Sequence, residues 1–425
     1  MEKIYKGDKM EVVLKEKNMC FIKTNKFKTL TLKVVFYNEY SKENATYLSL
    51  LTRVLSNTSK KYNTKKKLNN KLYDLYDANI YLSTNPSYKL SMTSFTLNMV
   101  NPIYVDDKNM LKESVKFLNE IINNPNVIDD AFDEKVFEEE KNKLSESIKK
   151  IYNNKARYAI KKAISLMCEN EMLSVGSLGS LEQLNKITPK LLYEFYKQII
   201  STSRVSIYCL GDITEEIIEN VKKFNKFNNN EGFVLNAVME DKIIPVDYKR
   251  FDETQDINQC HLVMGYRIPY NNKEKEYALL QIFNMMYGGL FNSNLFMNVR
   301  EKYSLAYDVS SSLIGDSKVM IVTAGIDKEN IDKTIEIINY ELDQYKKGII
   351  DEELLETAKT NAISYADEIE DSPSSYISYL MQNEIFGVET TIECLKENIN
   401  KVTIKDIENV SKRIYLDTIY VLKGE

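Results

Sequence analysis

The two halves of the chain repeat one another, and this repeat limits the possible folds more than any other feature of the sequence. Segments of the second half match segments of the first in the same order, at an offset of about 215 residues. Near the end of each half a Thr precedes a helical stretch and a short strand, first Thr188 and then Thr403. A Thr hydroxyl accepts an unsatisfied N–H at a helix start, so both are predicted N-caps. Each half closes with Ile-Tyr-x-Leu, at 207–210 and 419–422.

Two further matches lie upstream. The stretch FDEKVFEEEKNKLSESIKKIY, from Phe132, matches IDEELLETAKTNAISYADEIE, from Ile350. Each opens with an Asp that is predicted to cap a long helix with an acidic first turn. Earlier still, LNNKLYDLYDANIYLSTNPSYKLSMTSFTL matches LFMNVREKYSLAYDVSSSLIGDSKVMIVTAGI, each combining a helix end with two alternating strands. Because the matches keep their order, they indicate duplication.

The repeat predicts an α+β fold of two duplicated domains. Each domain is expected to be a mixed, largely antiparallel sheet packed with helices. The predicted domains are residues 1–228 and 251–425. We place the linker at 229–250, since NNEGFVLNAVMEDKIIPVDYKRFD shows weak periodicity.

Composition favours a globular protein in a reducing compartment. Hydrophobic residues make up 43% and charged residues 28%, and the formal net charge of −5 gives no reason to expect nucleic acid or a membrane as partner. No apolar run approaches the roughly 18 residues that span a bilayer. The N-terminus lacks the apolar region of a secretory signal. The five cysteines are scattered without CxxC spacing, so we expect a cytoplasmic protein.

The histidine count restricts the chemistry. The chain has one histidine, His261. Catalytic zinc sites usually take two or three imidazoles as ligands, so a His₂Glu centre is excluded. A Ser-His-Asp hydrolase is disfavoured as well, because no GxSxG turn is present.

The stretch GYRIPY, followed by MMYGGLFNSNLFMNVREKYSLAYDVSSS, resembles the C-terminal domain of the pitrilysin/insulinase (inverzincin) metallopeptidase family. The pattern combines a Gly-Gly turn, a helix ending in Arg-Glu-Lys, and Leu-Ala-Tyr entering a strand. The resemblance implies two domains arranged as a clamshell around an extended peptide. It also implies that Arg300 and Tyr307 bind the substrate, which suits their hydrogen-bond donors.

Simpler interpretations of the same residues stay open. Arg300 is alternatively an ion-pair partner of a helix acid, and Tyr307 a core residue of a strand. Gly288 and Gly289 are expected to allow a tight turn at a helix end. A glycine loop that grips a partner is the alternative.

The resemblance also locates the degenerate zinc motif. Active family members carry H-x-x-E-H on the first long helix, and the matching positions here are Ser49, Thr52 and Arg53. Serine is a poor zinc ligand, arginine is a permanent cation, and threonine cannot act as the general base. The third zinc ligand of the family is a Glu that lies seven residues after another Glu. Glu146 matches this ligand, and Glu139 matches the earlier Glu. Both are alternatively the solvated face of an acidic helix.

The resemblance therefore implies a non-catalytic, peptide-binding subunit of a bacterial heterodimeric zinc peptidase, without a metal or cofactor of its own. The partner is an active pitrilysin-family subunit that supplies the zinc site. A stand-alone peptide-binding or scaffold homodimer is the alternative. A peptidase that uses Glu139, Glu146 and His261 is a third possibility, disfavoured by so dispersed a ligand set. His261 itself is expected to be a structural residue on a strand, with a peptide contact as the alternative.

Overall fold

A computed structural model describes residues 10–224, 227–235, 247–269, 274–314 and 317–425. These residues form two compact units. Unit 1 contains the described parts of 1–148, 176–236 and 370–380, and unit 2 contains those of 149–175, 237–369 and 381–425. Each unit thus includes a segment from the other half of the sequence. Within the predicted linker, residues 236–246 lie outside the described part of the chain.

The described residues form strands and helices in the alternation that the repeat predicts. The strands are β1 (Glu11–Glu16), β2 (Met19–Lys23), β3 (Thr29–Glu39), β4 (Asn79–Ser87), β5 (Leu90–Val100), β6 (Val127–Ile128), β7 (Ala131–Phe132), β8 (Arg204–Gly211), β9 (Lys249–Thr254), β10 (Cys260–Arg267), β11 (Ala306–Ile314), β12 (Val319–Ile326) and β13 (Tyr415–Lys423). The helices are α1 (Ala45–Leu55), α2 (Lys65–Asp74), α3 (Met110–Asn123), α4 (Glu134–Asn153), α5 (Lys155–Met167), α6 (Leu181–Lys186), α7 (Pro189–Thr202), α8 (Glu215–Phe224), α9 (Glu274–Asn284), α10 (Ile331–Lys346), α11 (Glu352–Glu370), α12 (Pro373–Phe386), α13 (Ile392–Asn400) and α14 (Ile404–Ser411). Two π-helical segments, Met285–Gly289 and Phe296–Lys302, follow α9.

The two main sheets share one topology. Sheet 1, in unit 1, has the order β1-β2-β8-β3-β5-β4, and sheet 2, in unit 2, has the order β11-β12-β10-β13-β9. Read from opposite ends, β2-β8-β3-β5-β4 corresponds strand by strand to β9-β13-β10-β12-β11. In both sheets the pair at one side is parallel, β2 with β8 and β9 with β13, and the other pairs are antiparallel. The predicted α+β fold with largely antiparallel sheets is confirmed.

The predicted helix starts are also confirmed. The Thr188 hydroxyl accepts a hydrogen bond from Leu191 N at 3.3 Å. Thr403 forms a capping box with Asp406. The carboxylates of Asp133 and Asp351 accept backbone N–H groups at the starts of α4 and α11. Each cap satisfies a donor that has no partner within its helix.

Sheet 2 is covered on both faces. Alternate residues of β10, such as Leu262 and Met264, belong to a core that includes side chains of α9, α10, α11 and α14. Val263, which points to the other face, packs with Ala159 and Ala163 of α5. A Cβ on Gly265 would come within 2.5 Å of Met167 Sδ, so glycine at this position allows the end of α5 to approach the strand.

A nearly buried ion-pair network holds the end of α5 against sheet 2. The Arg267 guanidinium donates to Glu171 at 2.9 Å, to Asp417 at 3.0 Å and to the Met167 carbonyl at 2.9 Å. Burial alone would lower the pKa of Arg267, but the two carboxylates outweigh it and raise that pKa. The three charged side chains are mostly shielded from solvent, so the loss of one partner leaves the others uncompensated.

We expect Arg267→Met to destabilise unit 2 by about 3 kcal/mol, because it leaves Glu171 and Asp417 buried without their cation. Thermal denaturation followed by circular dichroism measures the change. Arg250→Met is the matched control, since Arg250 makes more exposed pairs with Asp252 and Asp332 in the same unit. Exposed pairs contribute at most about 1 kcal/mol. Equal losses of stability in the two variants would show that the Arg267 network stabilises unit 2 no more than an exposed ion pair does.

Candidate functional site

Helix α1 carries the positions that match the zinc motif, and it is a well-packed helix. Its sequence, ATYLSLLTRVL, is rich in good helix formers, and Arg53 in its last turn interacts favourably with the helix dipole. Ser49 is 7% exposed and Thr52 is 8% exposed. The side chains at two of the three motif positions are therefore buried.

The Thr52 hydroxyl of α1 forms hydrogen bonds within its own helix. The Thr52 hydroxyl lies 3.2 Å from the carbonyl oxygens of Leu48 and Ser49. It donates its hydrogen bond to these carbonyls of its own helix. This is the usual arrangement of a Thr within a helix. The hydroxyl is thus satisfied, and it offers neither a zinc ligand nor a base.

Arg53 faces α4 at Ser147. Arg53 Nη2 lies 3.5 Å from Ser147 Oγ, a long contact, and the Ser147 hydroxyl donates to the Lys143 carbonyl at 2.8 Å. Seven residues earlier on α4, Glu140 is buried and pairs with Lys143 Nζ at 2.6 Å. Residues seven apart share a helix face. The geometry therefore points to Ser147 as the α4 residue that faces Arg53 of α1.

The predicted pair, Glu139 and Glu146, is shifted by one residue from Glu140 and Ser147. Both Glu139 and Glu146 are exposed, and Glu139 pairs with Lys143 at 2.8 Å. The Lys143 ammonium lowers the pKa of Glu139. The assignment of Glu146 to the third ligand position stays a prediction, and the contact between Ser147 and Arg53 was not predicted from the sequence.

The donors around α1 do not fit a zinc ion. Within the described residues, no three or more His, Cys, Asp or Glu side chains are grouped so that they could hold a metal. Two hydroxyls and a guanidinium stand at the motif positions, and none of these is an effective zinc ligand.

His261 lies on β10 in unit 2, as expected for a strand residue, whereas α1 lies in unit 1. Its backbone pairs with Gly325 and Leu422. Burial lowers the pKa of His261, and the neighbouring Asp308 carboxylate opposes this shift. His261 is therefore a partly buried residue of a sheet strand.

Arg300 lies in the π-helical segment Phe296–Lys302 and is exposed. Its guanidinium carbon is 4.8 Å from the centre of the Phe296 ring, and its Nε is 3.7 Å from a Glu301 carboxylate oxygen. Contacts this exposed are weak. The guanidinium is therefore available to a ligand. It also lies near an acidic residue of its own helix, Glu301, as the simpler interpretation proposed.

Tyr307 is not a core residue. The strand pairing skips it, because Ala306 opposes Ile326 while Asp308 opposes Gly325. This bulge turns the ring outward, and Tyr307 is 62% exposed. Its hydroxyl donates to Asp327 at 3.1 Å, and that hydrogen bond raises the pKa of Tyr307. The bulge and Asp327 are features that period-two alternation did not reveal.

Gly288 and Gly289 end the π-helical segment Met285–Gly289, and the chain becomes extended at Leu290. A Cβ on Gly288 would lie 2.7 Å from Ser311 Oγ and 2.8 Å from Ser311 N. Glycine therefore lets this helix end pack directly on β11, the strand that begins next to Tyr307. Whether these glycines also grip a partner stays a prediction.

The chain is similar to known proteins, some of which are described as metallopeptidases or their inactive relatives. A family model described as "Peptidase M16 inactive domain" matches residues 186–362. "Probable inactive metalloprotease YmfF" of Bacillus subtilis is 29% identical over 408 residues, which cover 95% of each chain. A conserved protein from Enterococcus faecalis superimposes with a TM-score of 0.89 at 30% identity, covering 98% of this chain and 99% of the other.

A more distant structure shares the fold. A peptidase M16 inactive domain from Pseudomonas fluorescens has a TM-score of 0.76 at 15% identity, and the match covers 98% of both chains.

In the part of this chain that the structure describes, every helix is too short or too polar to cross a membrane.

Rebuilding the zinc motif tests which α4 residue faces α1. We expect the triple variant Ser49→His/Thr52→Glu/Arg53→His to bind zinc at least about tenfold more tightly when Ser147→Glu is added, because a third ligand completes the site. Competition with a chromophoric chelator measures the affinity, and circular dichroism confirms folding.

The control adds Glu146→Gln to the triple variant. If Ser147 is the facing position, this change leaves zinc affinity unaltered. Loss of zinc on Glu146→Gln, with no gain on Ser147→Glu, would instead support Glu146 as the ligand position.

Proposed function

The chain belongs to the pitrilysin/insulinase family of M16 peptidases, and on that premise we propose that it is a non-catalytic, peptide-binding subunit of a heterodimeric zinc peptidase. In this proposal the partner is an active family member that supplies the zinc site. One contrast carries the proposal. The motif positions on α1 hold no metal ligand, whereas the two candidate substrate-binding donors of unit 2 are exposed.

The donors of unit 2 suit a peptide backbone. A guanidinium and a phenol hydroxyl both donate hydrogen bonds to a carbonyl oxygen, or to the oxyanion that forms from it during hydrolysis. The proposed role of Arg300 and Tyr307 is to orient the scissile carbonyl at the partner's zinc. The Tyr307 hydroxyl donates to Asp327 in an exposed hydrogen bond, and a ligand can replace that contact at modest cost.

An extended peptide also has a place to bind in unit 2. β11 is one of the two edge strands of sheet 2, so one side of its backbone carries N–H and C=O groups that no strand of that sheet pairs with. Extended peptides commonly add to such edges, where main-chain hydrogen bonds give affinity. The bulge at Tyr307 starts this edge, which places the tyrosine at one end of the proposed peptide strand.

Co-purification from the native host tests the heterodimer. We expect an affinity-tagged chain to retain a stoichiometric, zinc-bearing M16 relative, identified by mass spectrometry and metal analysis. Recovery of the chain only as a homodimer, without such a relative, would contradict the proposal and support the scaffold alternative.

Substitutions test the two donors in the assembled heterodimer. We expect Arg300→Ala and Tyr307→Phe each to lower kcat for peptide cleavage by about tenfold or more, because each removes a donor to the reacting carbonyl. The matched controls are Arg157→Ala on α5 and Tyr340→Phe on α10, both exposed. Cleavage rates equal to those of the controls would show that Arg300 and Tyr307 do not act on the substrate.

A further inference from the structure

Glu341 of α10 is a buried carboxylate that has no ion-pair partner among the described residues. It is 5% exposed, and the charge of Lys302 acts on it only from beyond ion-pair distance. Glu140, the other buried Glu in the described part of the chain, pairs with Lys143 at 2.6 Å. A carboxylate buried without a cation is costly unless hydrogen bonds stabilise it.

Two asparagine side chains supply those hydrogen bonds. Asn294 Nδ2 donates to Glu341 Oε2 at 3.3 Å, and the Asn298 side chain forms a second hydrogen bond with the same carboxyl group. Asn294 Oδ1 in turn accepts a hydrogen bond from the buried Tyr345 hydroxyl at 3.0 Å. Because both ends of the Asn294 amide have a partner on α10, its orientation is determined. The network thus joins α10 to the chain around Asn294 and Asn298.

The two asparagines lie next to Arg300 in the sequence. Asn298 is two residues before Arg300, within the π-helical segment Phe296–Lys302, and Asn294 comes just before that segment. π-helical turns are rare and occur frequently at functional sites. In this segment Val299 is buried and makes the apolar contact with the core, whereas Arg300 is exposed. Glu341 supplies the polar contact on the buried side.

We propose that Glu341 is the positioning residue for Arg300. Its carboxylate holds Asn294 and Asn298, and through them the backbone that presents the guanidinium. The consequence for cleavage rests on the proposed function, in which Arg300 orients the scissile carbonyl. A displacement of about 1 Å can lower the rate of such a reaction about 100-fold. Glu341 therefore acts on the reaction through Arg300, without contacting the substrate.

Hydrogen–deuterium exchange of the isolated full chain, followed by mass spectrometry, tests the contact itself. We expect Glu341→Leu to accelerate exchange in Phe296–Lys302 about tenfold or more, because both asparagine amides lose their acceptor. Glu341→Gln should restore part of the protection, since its single carbonyl oxygen accepts one of the two hydrogen bonds. Glu336→Leu, at an exposed position of the same helix, is the matched control and should leave this exchange unaltered. Exchange in Glu341→Leu equal to that of the control would overturn the proposal.

A double-mutant cycle in the assembled heterodimer separates the positioning of Arg300 from general stability. We expect Glu341→Leu to lower kcat for peptide cleavage about tenfold and to change KM less than about twofold, because the contact acts on the reacting carbonyl. In the Arg300→Ala background the same substitution should lower kcat by less than about twofold, since the group that it positions is gone. Equal losses in the two backgrounds would overturn the positioning role.

The two experiments also distinguish this inference from the proposed function. If Arg300→Ala itself leaves cleavage unchanged, or no heterodimer forms, the proposed function fails. The exchange experiment on the isolated chain then decides by itself whether Glu341 holds the segment that carries Arg300.

The pH dependence of stability supplies a further readout. Burial raises the pKa of Glu341, and the hydrogen bonds from the two asparagines and the charge of Lys302 oppose this shift. Among the described residues, the phenols of Tyr287 and Tyr345 also interact electrostatically with this carboxyl group. Because the folded chain binds this proton more tightly than the unfolded chain, it holds more protons in the interval that begins at pH 4.5. Wild-type stability, measured by urea denaturation, should therefore fall relative to Glu341→Gln as pH rises through that interval. A difference that does not vary with pH would show that no buried carboxylate holds the segment.

Discussion

The central strand of each sheet is covered on both faces, and the rest of the architecture follows from this constraint. On β3 every residue from Leu30 to Asn38 is buried, and β10 is buried along almost its whole length. A strand covered on both faces needs two helical layers. One layer of sheet 2 comes from helices of its own half of the sequence, and α5 of the first half supplies the other. The second half of the sequence therefore does not contain all of the elements that cover its own sheet.

Much of the fold was predictable because its signals are local. The Thr and Asp caps, the long amphipathic helices and the alternating strands are each specified within a few residues, and duplication provided every signal twice. The location of α5 was not predictable in this way. The sequence KARYAIKKAISLM indicates an amphipathic helix, but its pattern does not specify which sheet it covers. That choice depends on Gly265 and Arg267, which lie about a hundred residues further along the chain.

In the candidate site, too, the sequence did not specify which individual residues are buried and which are exposed. Glu138, Glu139 and Glu140 are consecutive acidic residues, and the sequence alone does not distinguish the buried Glu140 from its two exposed neighbours. Tyr307 was identified by resemblance, yet its exposure depends on a bulge that alternation cannot predict.

The polar residues of the chain divide according to whether the fold needs them. Thr52 is satisfied by carbonyls of its own helix, and Arg267 by two carboxylates, so each stabilises the structure that surrounds it. Arg300 and Tyr307 are exposed and make only weak contacts, so neither contributes much to the stability of the fold. A group that the folded state does not stabilise, or stabilises poorly, gains most from a ligand. In this protein Arg300 and Tyr307 are such groups, and the proposed peptide-binding role depends on them.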